Sequence, residues 1–266
     1  MRKILSAAVL ACLALGAVAP MAAYADDDNS VQVGKDVFMS AGMKLWINTW
    51  QTNLTGNSGK SWTQLTADPN VGYIPNLSLK YKKLLLATSF MATGDYKFPR
   101  ESFIDAGPTT NALDITGSRQ EFDLNVGYYV VPQVVLTMGY KGVTEKFHVV
   151  SSRTGASDNK VYLNGVTFGV AGSAPIGNGF SVYGSGAGGP MFVTYTPAST
   201  YTDSAIYEAS ELGIAWHAPR APLSATLGYK FQLIQTSISS SNSVNYSNLP
   251  RSEVTRGLML GLNYLF

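Results

Sequence analysis

The stretch Gly257-Leu-Met-Leu-Gly-Leu-Asn-Tyr-Leu-Phe266 decides the fold of this chain. Large apolar residues alternate in it with small or polar ones, and the large apolar residues share one parity: Leu258, Leu260, Leu262, Tyr264 and Phe266. Successive side chains of a strand point to opposite faces, so the pattern predicts a strand with one continuous apolar face. Such a face needs either a complete protein cover or a surrounding of lipid.

The first 25 residues have the organisation of a secretory signal peptide. A basic pair, Arg2-Lys3, precedes an apolar core at 4–19, and Ala23-Tyr-Ala25 provides a small-x-small cleavage site. This apolar core is shorter than the about 20 residues that a spanning helix needs. We therefore expect a cleaved signal peptide at 1–25, a short segment at 26–36 and one domain at 37–266.

Composition excludes several functional classes. Loss of Arg2 and Lys3 lowers the basic residues from 19 to 17, against 17 acidic residues, so the net charge becomes zero. A nucleic-acid partner, which requires a basic face, is not expected. The single cysteine, Cys12, lies in the signal region, so the cleaved chain has no disulfide and no cysteine metal site. Charged residues make up 14% of the chain, against about a quarter in soluble domains.

Ten segments of alternating polarity follow one another along the domain. We predict strands at 41–49, 76–81, 84–91, 121–128, 136–141, 165–171, 180–187, 211–216, 223–232 and 257–266. The third segment is apolar on both faces, and the seventh runs into Gly184-Ser-Gly-Ala-Gly-Gly189. Eight strands result if these two segments are misread, and twelve result if a long connection hides a hairpin.

Short and long connections alternate between these segments. The short ones are 82–83, 131–133, 175–178 and 218–222, and the long ones are 54–71, 94–119, 150–160, 194–203 and 237–251. The long ones are rich in residues that favour turns and loops. In lipid an open sheet edge cannot be hydrogen-bonded, so a spanning sheet has to close on itself. Regular alternation is typical of a barrel with tight turns at one end and long loops at the other.

The signal peptide, the alternating strands and the terminal Gly261-x-x-Tyr264-x-Phe266 together resemble a bacterial outer-membrane β-barrel protein. The resemblance implies an all-β fold in the cell outer membrane, namely a closed antiparallel up-and-down transmembrane barrel of about ten strands with short periplasmic turns and long extracellular loops. It also implies that Gly261, Tyr264 and Phe266 form the signal that the barrel-assembly machinery reads. Met259 departs from the family pattern, which usually has a polar residue there. We expect a monomer surrounded by lipid and lipopolysaccharide.

The parity opposite to the apolar face predicts which residues line the interior. The predicted lumen residues, which are possible solute contacts, are Lys44, Trp46, Asn48, Lys80, Glu121, Asp123, Lys141, Glu211, Lys230 and Gln232. Two interpretations follow: an ion-paired plug, or a small passage or cavity for a solute. Inward glycines such as Gly165, Gly213 and Gly228 are expected to leave space. The leading hypothesis is therefore a porin-like barrel that passes or binds a small solute, and the alternative is a structural or adhesin-like barrel with a plugged interior.

Catalysis is not expected, and we assign no catalytic residue, metal or cofactor. His148 and His217 are predicted at opposite ends of the barrel, so they cannot share a site. The loop acids Asp95, Glu101 and Asp105 could approach His148, which leaves a surface hydrolase as a third hypothesis. Six cations are predicted in loops, where they could contact lipopolysaccharide phosphates. These are Lys60, Lys97, Arg100, Arg119, Arg153 and Arg251.

Overall fold

The computed structural model describes residues 14–15, 36–55, 62–104, 110–152, 155–196, 202–237 and 250–266. The predicted signal peptide and the segment 26–36 lie outside these residues, except for Asp36 and a two-residue strand, β1 (Ala14–Leu15). This short strand runs parallel to Ala209 and Ser210. Within the described ranges, no helix is long and apolar enough to cross a membrane.

Twelve further strands follow in the described residues. They are β2 (Val37–Thr55), β3 (Trp62–Thr66), β4 (Asn70–Tyr81), β5 (Leu84–Thr93), β6 (Tyr96–Ile104), β7 (Thr110–Val131), β8 (Val134–Ser151), β9 (Gly155–Gly177), β10 (Phe180–Thr196), β11 (Thr202–His217), β12 (Leu223–Ser237) and β13 (Pro250–Leu265). All of them except β3 and β6 form a ten-stranded antiparallel sheet, in which neighbours in the chain pair in order. Because β13 pairs with β2, the sheet closes. The predicted ten-stranded up-and-down barrel is confirmed.

The two strands outside the ten, β3 and β6, continue the barrel wall at its loop end. β3 pairs with the far part of β2, with Thr66 opposite Gln51, and β4 resumes the same ladder with Asn70 opposite Asn48. A short break at 67–69 separates the two strands. In the same way, β6 pairs with the first half of β7 beyond the part that pairs with β5.

Most of the predicted long connections are therefore wrong. The segments 54–71 and 94–119 contain strands, and only 152–154 separate β8 from β9. The connection between β10 and β11 shrinks to 197–201, whereas most of 237–251 lies outside the described residues. The physical reason is that these strands run beyond the lipid, where outward side chains are polar. Alternation of apolar and polar residues then ends before the strand does.

A belt of exposed large apolar side chains surrounds the barrel. It includes Leu212, Leu262 and Val126, which are 70%, 58% and 54% exposed. Seven aromatic side chains share this outward face: Tyr81, Tyr128, Tyr140, Trp216, Tyr229, Tyr264 and Phe266. Soluble monomers rarely expose a continuous apolar surface of this size. Such a belt with aromatic residues fits the lipid-facing surface of a membrane barrel.

The interior is filled at three levels by apolar side chains. Near the short turns lies a cluster around Leu85 and Tyr129, and at mid-height lies one around Trp46 and Met259. The largest cluster occupies the loop end and is centred on Trp50. The ring of Trp50 packs edge to face against Tyr96 and Phe98, with centroids 5.3 and 5.5 Å apart. Charged side chains fill the space between these apolar levels.

Candidate functional site in the barrel interior

All ten residues that the sequence predicts to line the lumen face inward. Eight of them are less than a tenth exposed, and Lys80 and Asp123 are half-buried. The structure brings most of them together at mid-height. Lys80 lies apart near the short turns, where its ammonium stands 4.5 Å from the ring centre of Tyr129. Their role as solute contacts stays a prediction.

One half of the charge cluster is organised around Glu121. Lys141 Nζ lies 2.6 Å from Glu121 Oε2 and 3.0 Å from Asp123 Oδ1. The register of β7 and β8 places Lys141 directly opposite Asp123, so alternation alone brings these charges together. Gln232 comes from β12, several strands away, and its Nε2 donates to both oxygens of Glu121 at 3.1 Å. The cluster therefore ties different walls of the barrel to each other.

Arg119 is the central residue that the sequence missed. It was predicted in a loop, but it lies inside β7 and is 1% exposed. Its Nε lies 2.7 Å from Glu121 Oε1, and its Nη1 lies 3.0 Å from Glu145 Oε1 and 3.4 Å from Glu253 Oε2. One guanidinium thus joins carboxylates from β7, β8 and β13. The available signal was parity, because Arg119, Glu145 and Glu253 continue the inward sets of their strands.

The other half of the cluster is organised around Glu211. Lys44 Nζ lies 3.5 Å from Glu211 Oε1, and the hydroxyl of Tyr183 donates to the same oxygen at 2.8 Å. Lys230 is 8% exposed and holds its ammonium 4.6 Å from the ring centre of Trp46. Buried charges are tolerated when they are paired and hydrogen-bonded, and the carboxylates of Glu121 and Glu211 each have both a cation and a hydrogen-bond donor.

The inward glycines do not leave open space, contrary to the prediction. A Cβ at Gly213 would lie 2.7 Å from ring carbons of Tyr183, and one at Gly228 would lie 2.5 Å from its hydroxyl. A Cβ at Gly165 would collide with the backbone of Pro190. The glycines therefore admit neighbouring atoms instead of a ligand. Between the two halves of the cluster remains a cavity of about 20 Å³, lined by Lys44, Ile74, Asn76, Ser89, Met91, Glu121, Asp123, Tyr207, Glu211, Lys230 and Met259. That volume holds about one water molecule.

Tyr96 connects the charge cluster to the apolar core above it. It lies on β6, outside the lipid belt, and its hydroxyl donates to Asn48 Oδ1 at 2.5 Å. Burial raises the pKa of Tyr96 to about 12, because the phenolate would lose its hydration. Trp50 makes a similar connection, since its Nε1 donates to Glu253 Oε2 at 3.2 Å.

Comparison with solved structures identifies the architecture. The outer membrane protease OmpT from Escherichia coli superposes with a TM-score of 0.58 at 12% identity, covering 90% of this chain and 100% of that chain. The fold of this chain is therefore that of the bacterial outer-membrane β-barrels. Two further barrels align more loosely. The translocator domain of the autotransporter NalP from Neisseria meningitidis gives a TM-score of 0.44 at 10% identity, covering 89% and 91% of the two chains. The toluene transporter TodX from Pseudomonas putida gives 0.34 at 8% identity, covering 87% and 90%.

Sequence comparison adds no subfamily to this barrel. No protein-family model matches the chain, and no curated protein sequence matches it. At 12% identity the likeness to OmpT shows the fold alone, and fold does not determine function.

The histidines of the barrel lie apart, at its two ends. His148 is on the outward face, where its Nδ1 lies 2.7 Å from Asp158 Oδ1. The carboxylate partner of His148 is therefore Asp158 on β9, and not the predicted Asp95. Asp105 and the side chain of Glu101 lie outside the described residues. His217 ends β11 beside the turn at 218–222. Within the described residues, no group of three or more metal-ligating side chains could hold a metal ion.

The predicted assembly residues lie on the strand that closes the barrel. The rings of Tyr264 and Phe266 pack edge to face with centroids 4.8 Å apart. The backbone N–H of Phe266 donates to Met39 O on β2 at 2.9 Å. Their recognition by the assembly machinery stays a prediction. Of the remaining predicted loop cations, Lys97 lies on β6 and is exposed, while Lys60, Arg153 and the side chains of Arg100 and Arg251 lie outside the described residues.

Proposed function

We propose that this chain is an integral outer-membrane barrel with a closed interior, which acts as a rigid carrier of an exterior binding surface. The observation that carries the proposal is the packing of the described lumen residues, where the two halves of the charge cluster leave a cavity of about 20 Å³ between them. Of the two hypotheses from the sequence, this favours the plugged barrel over the porin-like one.

The energetics of the interior support a closed state. A solute path would have to cross the Trp50 level, the charge cluster and the Leu85 level in turn. Opening it would separate buried pairs such as Lys141 and Glu121, and a buried charge left without its partner costs about 3–5 kcal/mol. Open aqueous channels belong to barrels of about sixteen strands or more.

The lengths of the strands support a role on the outer surface. β7, β8, β9 and β10 contain 22, 18, 23 and 17 residues. A tilted strand crosses the hydrocarbon with about 9–11 residues. About half of each strand therefore projects beyond the lipid, around the packed Trp50 level. The projection is stiffened by its strand pairing and by the buried apolar cluster inside it.

Conductance tests the closed interior directly. The mature protein, refolded in detergent, is added to a planar lipid bilayer and, separately, to liposomes for sugar-uptake swelling. A general porin in the same membranes serves as the positive control. We expect no discrete conductance steps and no swelling above empty liposomes. Stable unit steps, or uptake of any sugar, would contradict the proposal and restore the porin-like hypothesis.

A surface hydrolase is the second candidate, and the His148–Asp158 contact favours it. A carboxylate at Nδ1 leaves the other ring nitrogen available as a base. Among the described residues, no serine or threonine hydroxyl hydrogen-bonds that nitrogen, so our expectation remains that the chain is not an enzyme. Ester and peptide substrates should be turned over no faster by the wild type than by His148→Ala. A selective loss in the variant would establish the hydrolase.

A further inference from the structure

One row of outward-facing side chains crosses four strands beyond the lipid belt. The strand registers align Ser118 of β7 with Lys146 of β8, Lys146 with Lys160 of β9, and Lys160 with Thr196 of β10. Both lysines and Thr196 are exposed, and Ser118 is half-buried. Every side chain of this row can donate hydrogen bonds, and the row contains no carboxylate.

The two lysines face each other without a counter-charge of their own. Directly opposite side chains of an antiparallel pair have Cβ atoms about 4.5–5.5 Å apart, where like charges repel. Asp158 is the nearest acid on this face, one row further out, and it is already paired with His148. Within the described part of the chain, neither Lys146 nor Lys160 forms an ion pair. A repulsive pair with this surrounding is what an anionic ligand would relieve.

The distance of this row from the apolar belt indicates which kind of ligand it would meet. The apolar belt ends at Tyr140 on β8 and at Tyr162 on β9, so Lys146 lies six residues and Lys160 two residues further along its strand. At about 3.3 Å per residue and a strand tilt of about 40°, the lysines stand roughly 5 to 15 Å beyond the belt. That is the layer of lipid headgroups, and for the outer leaflet of an outer membrane it is a layer of phosphorylated saccharide.

We propose that the row Ser118–Lys146–Lys160–Thr196 binds phosphate groups on the saccharide headgroup of lipopolysaccharide. The ammonium groups supply the charge, and the hydroxyls on either side supply further donors to phosphate oxygens. The row lies on the outer face of the barrel wall, which suits a headgroup layer held alongside it better than a free phosphate ion. The inference rests on the proposed outer-membrane location and adds the partner that this part of the surface binds.

A titration of the detergent-solubilised mature protein tests this site. The probe is rough lipopolysaccharide with a phosphorylated inner core, and binding is measured by calorimetry. The variant Lys146→Gln/Lys160→Gln is compared with Lys82→Gln/Lys83→Gln, which removes the same charge at the opposite end of the barrel. We expect the first variant to bind about tenfold more weakly than the wild type, and the control to change less than about twofold. Exposed lysines carry no core contacts, so both variants should fold like the wild type.

Two further probes identify the phosphate source. Lipopolysaccharide treated with phosphatase should bind the wild type as weakly as the intact lipid binds the double variant. Phosphatidylglycerol should bind wild type and double variant alike. Equal affinity of the double variant for intact lipopolysaccharide, an equal loss in the control, or an equal dependence with phosphatidylglycerol would overturn the proposal. Because the titration does not depend on conductance, its failure is distinct from failure of the closed-barrel proposal.

Discussion

Arg119 is the side chain on which the interior most depends, because three carboxylates share its guanidinium. In Arg119→Met, the carboxylates of Glu145 and Glu253 would stay buried without their cation, and such a break costs about 3–5 kcal/mol. We expect a loss of this size in the free energy of unfolding, measured by urea titration in detergent with circular dichroism.

Two further variants test whether the loss of stability is specific to the guanidinium of Arg119. Arg119→Lys keeps the charge but loses the fork that reaches several carboxylates, so its stability should be intermediate. Arg256→Met removes an exposed arginine from β13 and should change the free energy by less than about 0.5 kcal/mol. If Arg119→Met were as stable as Arg256→Met, the cluster would not stabilise the barrel.

Tyr96 gives the barrel a defined sensitivity to alkaline pH. Its pKa is raised to about 12 in the folded state, against 10.0 in the unfolded chain. Its contribution is therefore complete below pH 10 and is lost as the pH rises towards 12, with a ceiling of roughly 3 kcal/mol. Between these pH values the wild type should lose unfolding free energy more steeply than Tyr96→Phe. Parallel curves for the two proteins would show that the phenol does not titrate with unfolding.

At the scale of single residues, parity predicted which face each side chain takes, but it did not predict contacts. The lumen set was readable because Lys141 and Asp123 alternate with apolar residues inside clear strands. Arg119 continues the inward parity of β7, but its outward neighbours Ser118 and Gln120 are polar, so the segment resembles a loop in sequence. Composition also cannot show that Tyr183 fills the space above Gly213 and Gly228.

Within the closing strand β13, position 261 has to be glycine because Thr226 of β12 occupies the space beside it. A Cβ at Gly261 would collide with Thr226 Oγ1, and its next contact is Lys44 Cγ at 3.3 Å. Gly261→Ala should therefore cost about 1–3 kcal/mol through overpacking. The nearest colliding atom belongs to a side chain, so adding Thr226→Ala should recover most of that loss. A double-mutant cycle of unfolding free energies measures the coupling, and simple additivity would contradict the packing described here.

Strand lengths were the least predictable feature at the scale of elements. The lipid-facing part of each strand has apolar residues at every second position, whereas the part beyond the lipid is polar outside and apolar inside only at the Trp50 level. β9 illustrates this, because its polar first third, Gly155-Ala-Ser-Asp-Asn-Lys160, has no apolar face at all. Its strand structure depends on pairing with β8 and β10, which a single segment cannot reveal.

For the whole molecule, the closed sheet was predictable and the activity was not. An even number of strands, tight turns at one end and an apolar closing strand leave few ways to satisfy the backbone in lipid. The state of the lumen required coordinates, because the same charges could line a passage or form a plug. The distances around Arg119 and Glu121, together with the apolar levels on either side, favour the plug.

The depth of the lipid belt makes a prediction about the entire barrel. Leu262 lies at the centre of the outward face of β13 and Leu258 near its loop end, and both are at least half exposed. Arginine at the bilayer midplane costs about 2–4 kcal/mol, and near an interface about 0–1 kcal/mol. Leu262→Arg should therefore lose far more folding free energy than Leu258→Arg when both are titrated with urea in phospholipid vesicles. In a water-exposed barrel neither change would matter, because both side chains would already be solvated, so equal and small losses would place this surface outside the membrane.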